Sequence, residues 1–187
     1  ALGVTGSFDN GDDISAFAGY ASLEYPLNES FNPFIALRVA SGDDDPTDND
    51  VEGWLGITDI GRYSPLIGID GQFLGWHAGT GNNPGQVMLS VGSSGNLVSI
   101  SPKLSYQAQI FPMWFQQTGG LETLSTASGS VDSYAGTELD VAIKYQANQY
   151  FAPRLVLSSF LPGKGVEDAT GADDAAYVAM LELNWNY

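Results

Sequence analysis

Two carboxylates stand at a spacing that could support chemistry. Glu138 and Asp140 lie two residues apart in the stretch GTELDVAIKYQ (136–146). Side chains two apart on a β-strand point to the same side, and paired carboxyl groups are what general acid–base catalysis needs. Lys144 and Arg154 follow closely and favour a network of ion pairs instead. We therefore predict no catalytic residues and no enzymatic activity.

A second group of carboxylates fills the stretch GDDDPTDND (42–50). Oxygen donors at this density could hold a hard cation such as Ca²⁺, which is the one cofactor we consider. The stretch lacks the glycine and the terminal glutamate of an EF-hand loop, so the alternative is a solvated acidic loop that shares divalent ions with lipopolysaccharide phosphates. The candidate ligands are Asp43, Asp44, Asp45, Asp48 and Asp50.

The remaining reactive residue types are scarce. His77 is the only histidine, and no Ser or Cys nucleophile stands at a recognisable distance from it, so we interpret His77 as a loop residue. The chain has no cysteine, which excludes disulfides, thiolate metal sites and catalytic thiols. Twenty-two acidic residues against 6 Lys and Arg argue against a nucleic-acid partner.

The elements that must position these residues are strands. Apolar and polar residues alternate between clusters rich in Gly, Asn, Asp and Ser, a pattern typical of an all-β chain, and we identify no amphipathic helix. No apolar run is long enough for a transmembrane helix. The chain begins at Ala1 without Met or an apolar leader, so we expect a processed product or a fragment, with residues 1–187 forming a single domain. The predicted strands are 1–8, 14–26, 32–41, 84–92, 96–115, 135–148, 150–161 and 173–187.

Short and long links between these strands alternate. Short links fall at 27–32, 93–96 and 148–151, and long loops near 42–83, 116–134 and 162–172. About eight antiparallel strands with short turns at one rim and long loops at the other predict a transmembrane β-barrel of the bacterial outer membrane, with both chain termini on the periplasmic side. A soluble β-sandwich gives a similar pattern and stays open as an alternative.

The side chains within the strands are sorted by type. Charged residues share one face of their strands, which predicts a polar lumen that sets selectivity. Large aromatic and apolar residues gather near the short-turn ends, which predicts an interfacial girdle. The predicted lumen residues are Arg38, Lys103, Glu138, Asp140, Lys144, Arg154 and Glu182. The predicted interface residues are Tyr145, Phe151, Leu183, Trp185 and Tyr187.

Two stretches carry a resemblance to a known family. ASGDDDPTDND (40–50), which follows NPFIALRV, and the segment from GTELDVAIKYQ to NWNY (136–187) resemble the C-terminal part of the alginate-export family of outer-membrane β-barrels. The resemblance implies an inward Arg38 before the acidic loop, a Pro162–Gly163 loop in the last hairpin and an assembly signal that ends in Trp185 and Tyr187. Family members are longer, so the chain is either the C-terminal half of a wider barrel or a complete barrel of about eight strands.

The function predicted from these features is that of an outer-membrane channel or porin for a hydrophilic solute or an exported polysaccharide. Two alternatives stay open: a barrel that sheathes or scaffolds a periplasmic partner protein in an outer-membrane complex, and a soluble β-sandwich that binds sugar or Ca²⁺. The membrane hypothesis implies three partners, namely outer-membrane lipid, lipopolysaccharide and the barrel assembly machinery.

Overall fold

The fold is described by a computed structural model, which covers residues 2–7, 11, 13–45, 47–54, 83–124 and 126–185. Nine strands and two short helices lie in these ranges. The strands are β1 (Leu2–Ser7), β2 (Asp13–Glu24), β3 (Asn32–Ala40), β4 (Asp50–Val51), β5 (Gln86–Asn96), β6 (Leu104–Trp114), β7 (Tyr134–Tyr145), β8 (Phe151–Pro162) and β9 (Ala176–Trp185). The helices are α1 (Gly119–Glu122) and α2 (Lys164–Thr170).

The strands form one antiparallel meander in the order β1-β2-β3-β5-β6-β7-β8-β9. Only β4 lies off this path, where it pairs in parallel with the start of β2. The predicted all-β, antiparallel fold is confirmed, and each predicted strand corresponds to one strand of the meander. In the described part of the chain β1 and β9 do not pair with each other, so they form the two edges of the sheet.

The two ends of the sheet differ in their connections. Residues 25–31, 97–103 and 146–150 link strands at what we call the turn end. The opposite end, which we call the loop end, carries the long connections 41–85, 115–133 and 163–175. The predicted alternation of short links and long loops is therefore confirmed.

One predicted link is wrong. The sequence SSGN (93–96) reads as a turn, yet these residues continue β5 and pair with β6, from Ser93 opposite Ala108 to Asn96 opposite Ser105. The ring of Tyr106 lies beside Gly95, and its hydroxyl donates to the carbonyl of Ser30 at 3.0 Å. The backbone of Ser30 occupies the space that a side chain at Gly95 would need, so the glycine allows this close approach within the strand. The chain turns later, where Ile100 N donates to Leu97 O.

Two other features of the loop end were not predicted. The helices α1 and α2 lie in segments interpreted as loops, and α2 ends at Gly171, whose φ of 75° is the left-handed conformation typical of a helix C-terminus. Both helices have fewer residues than a periodic pattern requires to be recognised. Trp54 also lies buried against Ala16, Ala18 and Ala40 of β2 and β3, so this part of the 42–83 segment folds onto the sheet.

Candidate functional site

The two faces of the sheet differ in exposure: on β7 and β8, polar side chains are buried on one face and apolar side chains are exposed on the other. On β7, Glu138 is 0% exposed and Asp140 is buried, whereas the intervening Leu139 is 50% exposed. The same alternation places Ser158 of β8 inside and Leu157 outside. We call the first set of side chains the inner face and the second the outer face. Ionisable groups are rarely buried unless they are paired or hydrogen-bonded, so the buried carboxyl groups of the inner face are expected to have polar partners.

The outer face is a continuous apolar surface. It extends over β3, β5, β6, β7, β8 and β9, and its members are a third to three-quarters exposed. Adjacent strands bring these side chains side by side, as where Val141 pairs with Leu157 and Leu157 with Ala179. The larger exposed members are Ile35, Leu37, Val91, Ile110, Leu139, Val141, Ile143, Leu155, Leu157, Leu161, Tyr177, Leu181 and Leu183.

Polar side chains line the middle of the inner face. Arg38 is 1% exposed, and its Nη1 donates to Oε1 of Gln86 at 2.6 Å. Gln109 is also buried, and its Nε2 donates to Oδ2 of Asp140 at 3.2 Å. Because neighbouring strands are in register, Asp140 lies between Gln109 on one side and Ser158 on the other. The predicted inner residues Arg38, Glu138 and Asp140 therefore lie on one face, in a hydrogen-bonded environment.

At the turn end, the inner face carries a row of charged side chains. Register places Ser105, Lys144, Arg154 and Glu182 side by side across β6 to β9. Nη1 of Arg154 donates to both carboxylate oxygens of Glu182 at 3.0 Å. Three predicted lumen residues are thus brought together, and they are more exposed than the residues at mid-sheet.

Lys103 does not join this row. It lies in the link before β6, where its Nζ donates to the carbonyl of Ala147 at 3.0 Å and stands 6.0 Å from the ring centroid of Tyr145. Its ammonium therefore holds two links of the turn end together. The predicted strand 96–115 placed Lys103 within the sheet, but β6 begins eight residues later, at Leu104, so Lys103 lies in the link before it.

The inner face at the loop end is closed by apolar packing. Met88, Phe111 and Met113 of the sheet pack with Phe160 of β8 and with residues of both helices. The members of this cluster, which we call the loop-end core, are Met88, Phe111, Met113, Phe115, Leu121, Val131, Ala135, Phe160, Val166 and Ala169. Sequence reasoning missed it because its members come from six separate segments and show no common periodicity.

Asp168 fastens α2 to the neighbouring loop. Nζ of Lys164 lies 2.8 Å from its Oδ1, and the backbone N–H of Asp132 donates to its Oδ2 at 3.2 Å. Thr126 Oγ1 donates to the carbonyl of Ala169 at 2.6 Å. The hydrogen bond from Lys164 is the largest cause of a pKa of Asp168 below its usual value. These bonds hold the two loop-end segments together as one cap over the loop-end core.

The acidic stretch has carboxylates engaged in local bonds. Oδ1 of Asp45 accepts from Oγ1 of Thr47 at 2.6 Å, which lowers the pKa of Asp45, and Oδ1 of Asp48 accepts from the N–H of Asp50 at 2.8 Å. Asp43 is buried, and burial raises its pKa. Across the described ranges, no three acidic or histidine side chains are grouped as ligands of a metal ion. Calcium binding by Asp43, Asp44, Asp45, Asp48 and Asp50 stays a prediction.

The predicted interface residues lie at the turn end of the outer face. Phe151 and Trp185 stack with ring centroids 4.4 Å apart at an interplanar angle of 28°. Trp185, Leu183 and Tyr145 are exposed. Tyr187 lies outside the described residues, as does His77.

No protein-family model matches the chain, and no curated protein is similar to it in sequence. Within the described ranges, no helix is long and apolar enough to cross a membrane. The resemblance to the alginate-export family therefore stays a prediction, and the geometry of the two faces is the basis for a functional proposal.

Proposed function

We propose that the chain forms a β-barrel, or the C-terminal part of a wider one, in the bacterial outer membrane and acts there as a channel for a small hydrophilic solute. In this proposal the outer face meets lipid and the inner face lines the lumen. The turn end lies at the periplasmic rim, and the loop end faces the cell exterior.

The observation that carries the proposal is the inverted distribution of side chains. In water, an outer-face leucine that is about half exposed forgoes on the order of 1 kcal/mol of burial free energy, and such residues cover most strands. A soluble β-sandwich would bury this face and expose the charged one. Lipid removes the cost, because the outer face then contacts acyl chains and the charged groups stay within the protein.

Strand dimensions agree with this placement. The strands β2, β7 and β8 have 12 residues, β5 and β6 have 11, and β9 has 10. A tilted strand needs about 9–11 residues to cross the hydrocarbon core. The stacked Phe151 and Trp185 would then lie at the headgroup level, where aromatic rings are favoured.

The polar inner face supports passage of a hydrophilic solute. Amide, hydroxyl and charged groups follow one another from mid-sheet to the turn end, and they can exchange hydrogen bonds with a solute as it loses water. An exported polysaccharide would need a wider lumen than eight strands enclose. We therefore favour a small solute.

A second candidate function is a structural barrel with an occluded interior that serves as a scaffold for a periplasmic partner protein. The loop-end core favours it, because Phe111, Met113 and Leu121 are fully buried where an open channel would need space. In the channel proposal, the cap formed by α2 and its neighbouring loop must move before solute passes.

The test is conductance of the full chain, purified from outer membranes in detergent and inserted into planar bilayers. Steady single-channel current that persists at constant voltage supports the channel. A matched variant, Arg38→Gln, removes one inner-face charge, and its reversal potential in a salt gradient should shift toward cation selectivity. Silence from protein shown to be folded and inserted would overturn the channel in favour of the occluded barrel. Protein that stays in solution without detergent would overturn the membrane placement itself.

A further inference from the structure

A cavity of about 340 Å³ opens on the inner face at the turn end. Its neutral wall consists of amide and hydroxyl side chains, chiefly Asn32, Asn96, Ser105 and Gln107. Such groups both donate and accept hydrogen bonds, so they suit a ligand with several hydroxyl groups. The volume falls at the lower end of the range of small-molecule sites.

The charged wall of this cavity is formed by Lys144 and Arg154, with Glu29 as the acidic member. Two of the six basic residues of a chain with net charge −16 thus line one small space. The lining has two cations against one carboxylate, and Arg154 is paired with the carboxylate of Glu182, so the preference for an anion comes from Lys144, which has no acidic partner among the described residues.

Both cations have donors to offer. Among the described residues, Lys144 makes no ion pair and its ammonium makes no hydrogen bond. Arg154 donates from Nη1 alone, to Glu182, which leaves its other nitrogens available in the described part of the chain. Lys144 and Arg154 are direct neighbours on β7 and β8. A carboxylate between them would accept charge-assisted hydrogen bonds from both.

Glu29 limits the shape of the ligand. The backbone N–H of Asn96 donates to the carbonyl of Glu29 at 2.7 Å, and Asn96, Ser105 and Lys144 follow on successive strands. Strands lie about 4.8 Å apart, so Glu29 and Lys144 are separated by about 14 Å along the sheet. A hydroxylated chain that starts at Lys144 can extend along the amide wall toward Glu29, whose carboxylate disfavours a second anionic group at that end of the cavity.

We propose that the turn-end cavity binds a small monocarboxylate that carries several hydroxyl groups. The carboxylate lies between Lys144 and Arg154, and the hydroxyl groups bond to Asn96, Ser105 and Gln107. This inference rests on the proposed function, since it names the substrate class of the channel, and it places the selective step at the periplasmic rim.

The test is isothermal titration calorimetry on the folded full chain in detergent, with sodium gluconate as the probe and ionic strength held constant with sodium chloride. Sorbitol, which has the hydroxyl groups but no carboxylate, is the control ligand. We expect gluconate to bind and Lys144→Met to weaken it about tenfold, the effect of losing one charge-assisted hydrogen bond. Lys144→Arg should retain binding within a few-fold.

Lys103→Met is the matched control variant, because it removes a turn-end cation that lies outside the cavity. Its gluconate affinity should equal that of the native chain. The inference is overturned if gluconate does not bind, if sorbitol binds equally well, or if Lys144→Met and Lys103→Met weaken binding to the same extent. Calorimetry requires no conduction, so failure here leaves the conductance result intact, and a silent channel that still binds gluconate overturns only the proposed transport.

Discussion

The loop end and the turn end of the same sheet use the inner face in different ways. At the loop end, two helices and an apolar core close the interior, and Phe111 is 0% exposed. At the turn end, charged and amide side chains surround a cavity, and the ion pair between Arg154 and Glu182 is partly exposed. The contrast indicates that apolar packing is concentrated at the loop end, whereas the proposed recognition of a solute belongs to the turn end.

Truncation of the loop-end core should have the largest effect. Phe111→Ala removes a fully buried ring from the packing of Met88, Met113 and Phe160. Its free energy of unfolding should fall by about 3–5 kcal/mol, measured by urea titration in detergent. Phe151→Ala, which removes a ring from the turn end, is the matched control and should lose clearly less. Equal losses of unfolding free energy in the two variants would show that the loop end is no more important for stability than the turn end.

A charge on the outer face should have the next largest effect. Leu157→Arg lies in the middle of β8, and in a bilayer it should cost about 2–4 kcal/mol, whereas Tyr25→Arg at the turn end should cost about 0–1 kcal/mol. Urea unfolding from lipid vesicles measures both. On a water-exposed surface, either change would fall within about 0.5 kcal/mol, so equal and small effects would contradict the membrane placement.

The stability contributed by two loop-end carboxyl groups, Asp168 and Asp43, should change with pH in opposite directions. The pKa of Asp168 is lowered in the folded chain, so its contribution is present above the unfolded pKa of about 3.9 and is lost as pH falls through the folded value. The stability gap between the native chain and Asp168→Asn should therefore close in acid, below about pH 4.

Asp43 should behave in the opposite way. Its pKa is raised by burial, so its contribution is present below the unfolded pKa and is lost as pH rises through the folded value. Asp43→Asn should accordingly be more stable than the native chain at neutral pH, and the difference should vanish in acid. Unfolding midpoints measured across the pH range check both variants. If both variants were less stable than the native chain at neutral pH, or both more stable, the opposite pKa shifts of Asp168 and Asp43 would be contradicted.

The smallest effect is expected at the turn-end ion pair. Glu182→Gln removes the charge that Arg154 faces at 3.0 Å, but both side chains are about a quarter exposed. Partly hydrated pairs of this kind contribute roughly 0–1 kcal/mol. Urea titration should therefore give a smaller loss than Phe111→Ala or Leu157→Arg, and a loss as large as theirs would show that the turn end also contributes strongly to stability.

Sequence reasoning predicted the strands well because alternation is a local signal. Leu139, Val141 and Ile143 against Glu138 and Asp140 specify both a strand and its two faces. The predicted link at 93–96 was wrong because Ser and Gly usually mark turns, whereas here these residues pair with β6 on one side and Ser93 and Ser94 also pair with β3 on the other.

Features that depend on distant segments could not be predicted in this way. Trp54 packs on β2 and β3, and Asp168 bonds to Asp132, across sequence separations that no local pattern encodes. The charged row at the turn end was foreseen as residues of one face, but which of them touch depends on register. Arg154 meets Glu182 because β8 and β9 pair in the register that aligns them.

Within the described ranges, the outer edges of β1 and β9 have no partner strand, and this has a kinetic consequence. Half of the backbone N–H and C=O groups of an edge strand point outward, and in hydrocarbon each unsatisfied group costs several kcal/mol. If the chain inserts into a membrane as proposed, the open sheet must stay on the aqueous side until its edges are paired, and there exposed edges also recruit other chains into aggregates. The rate at which the edges find a strand to pair with, rather than the rate of forming the meander, should then decide between membrane insertion and aggregation.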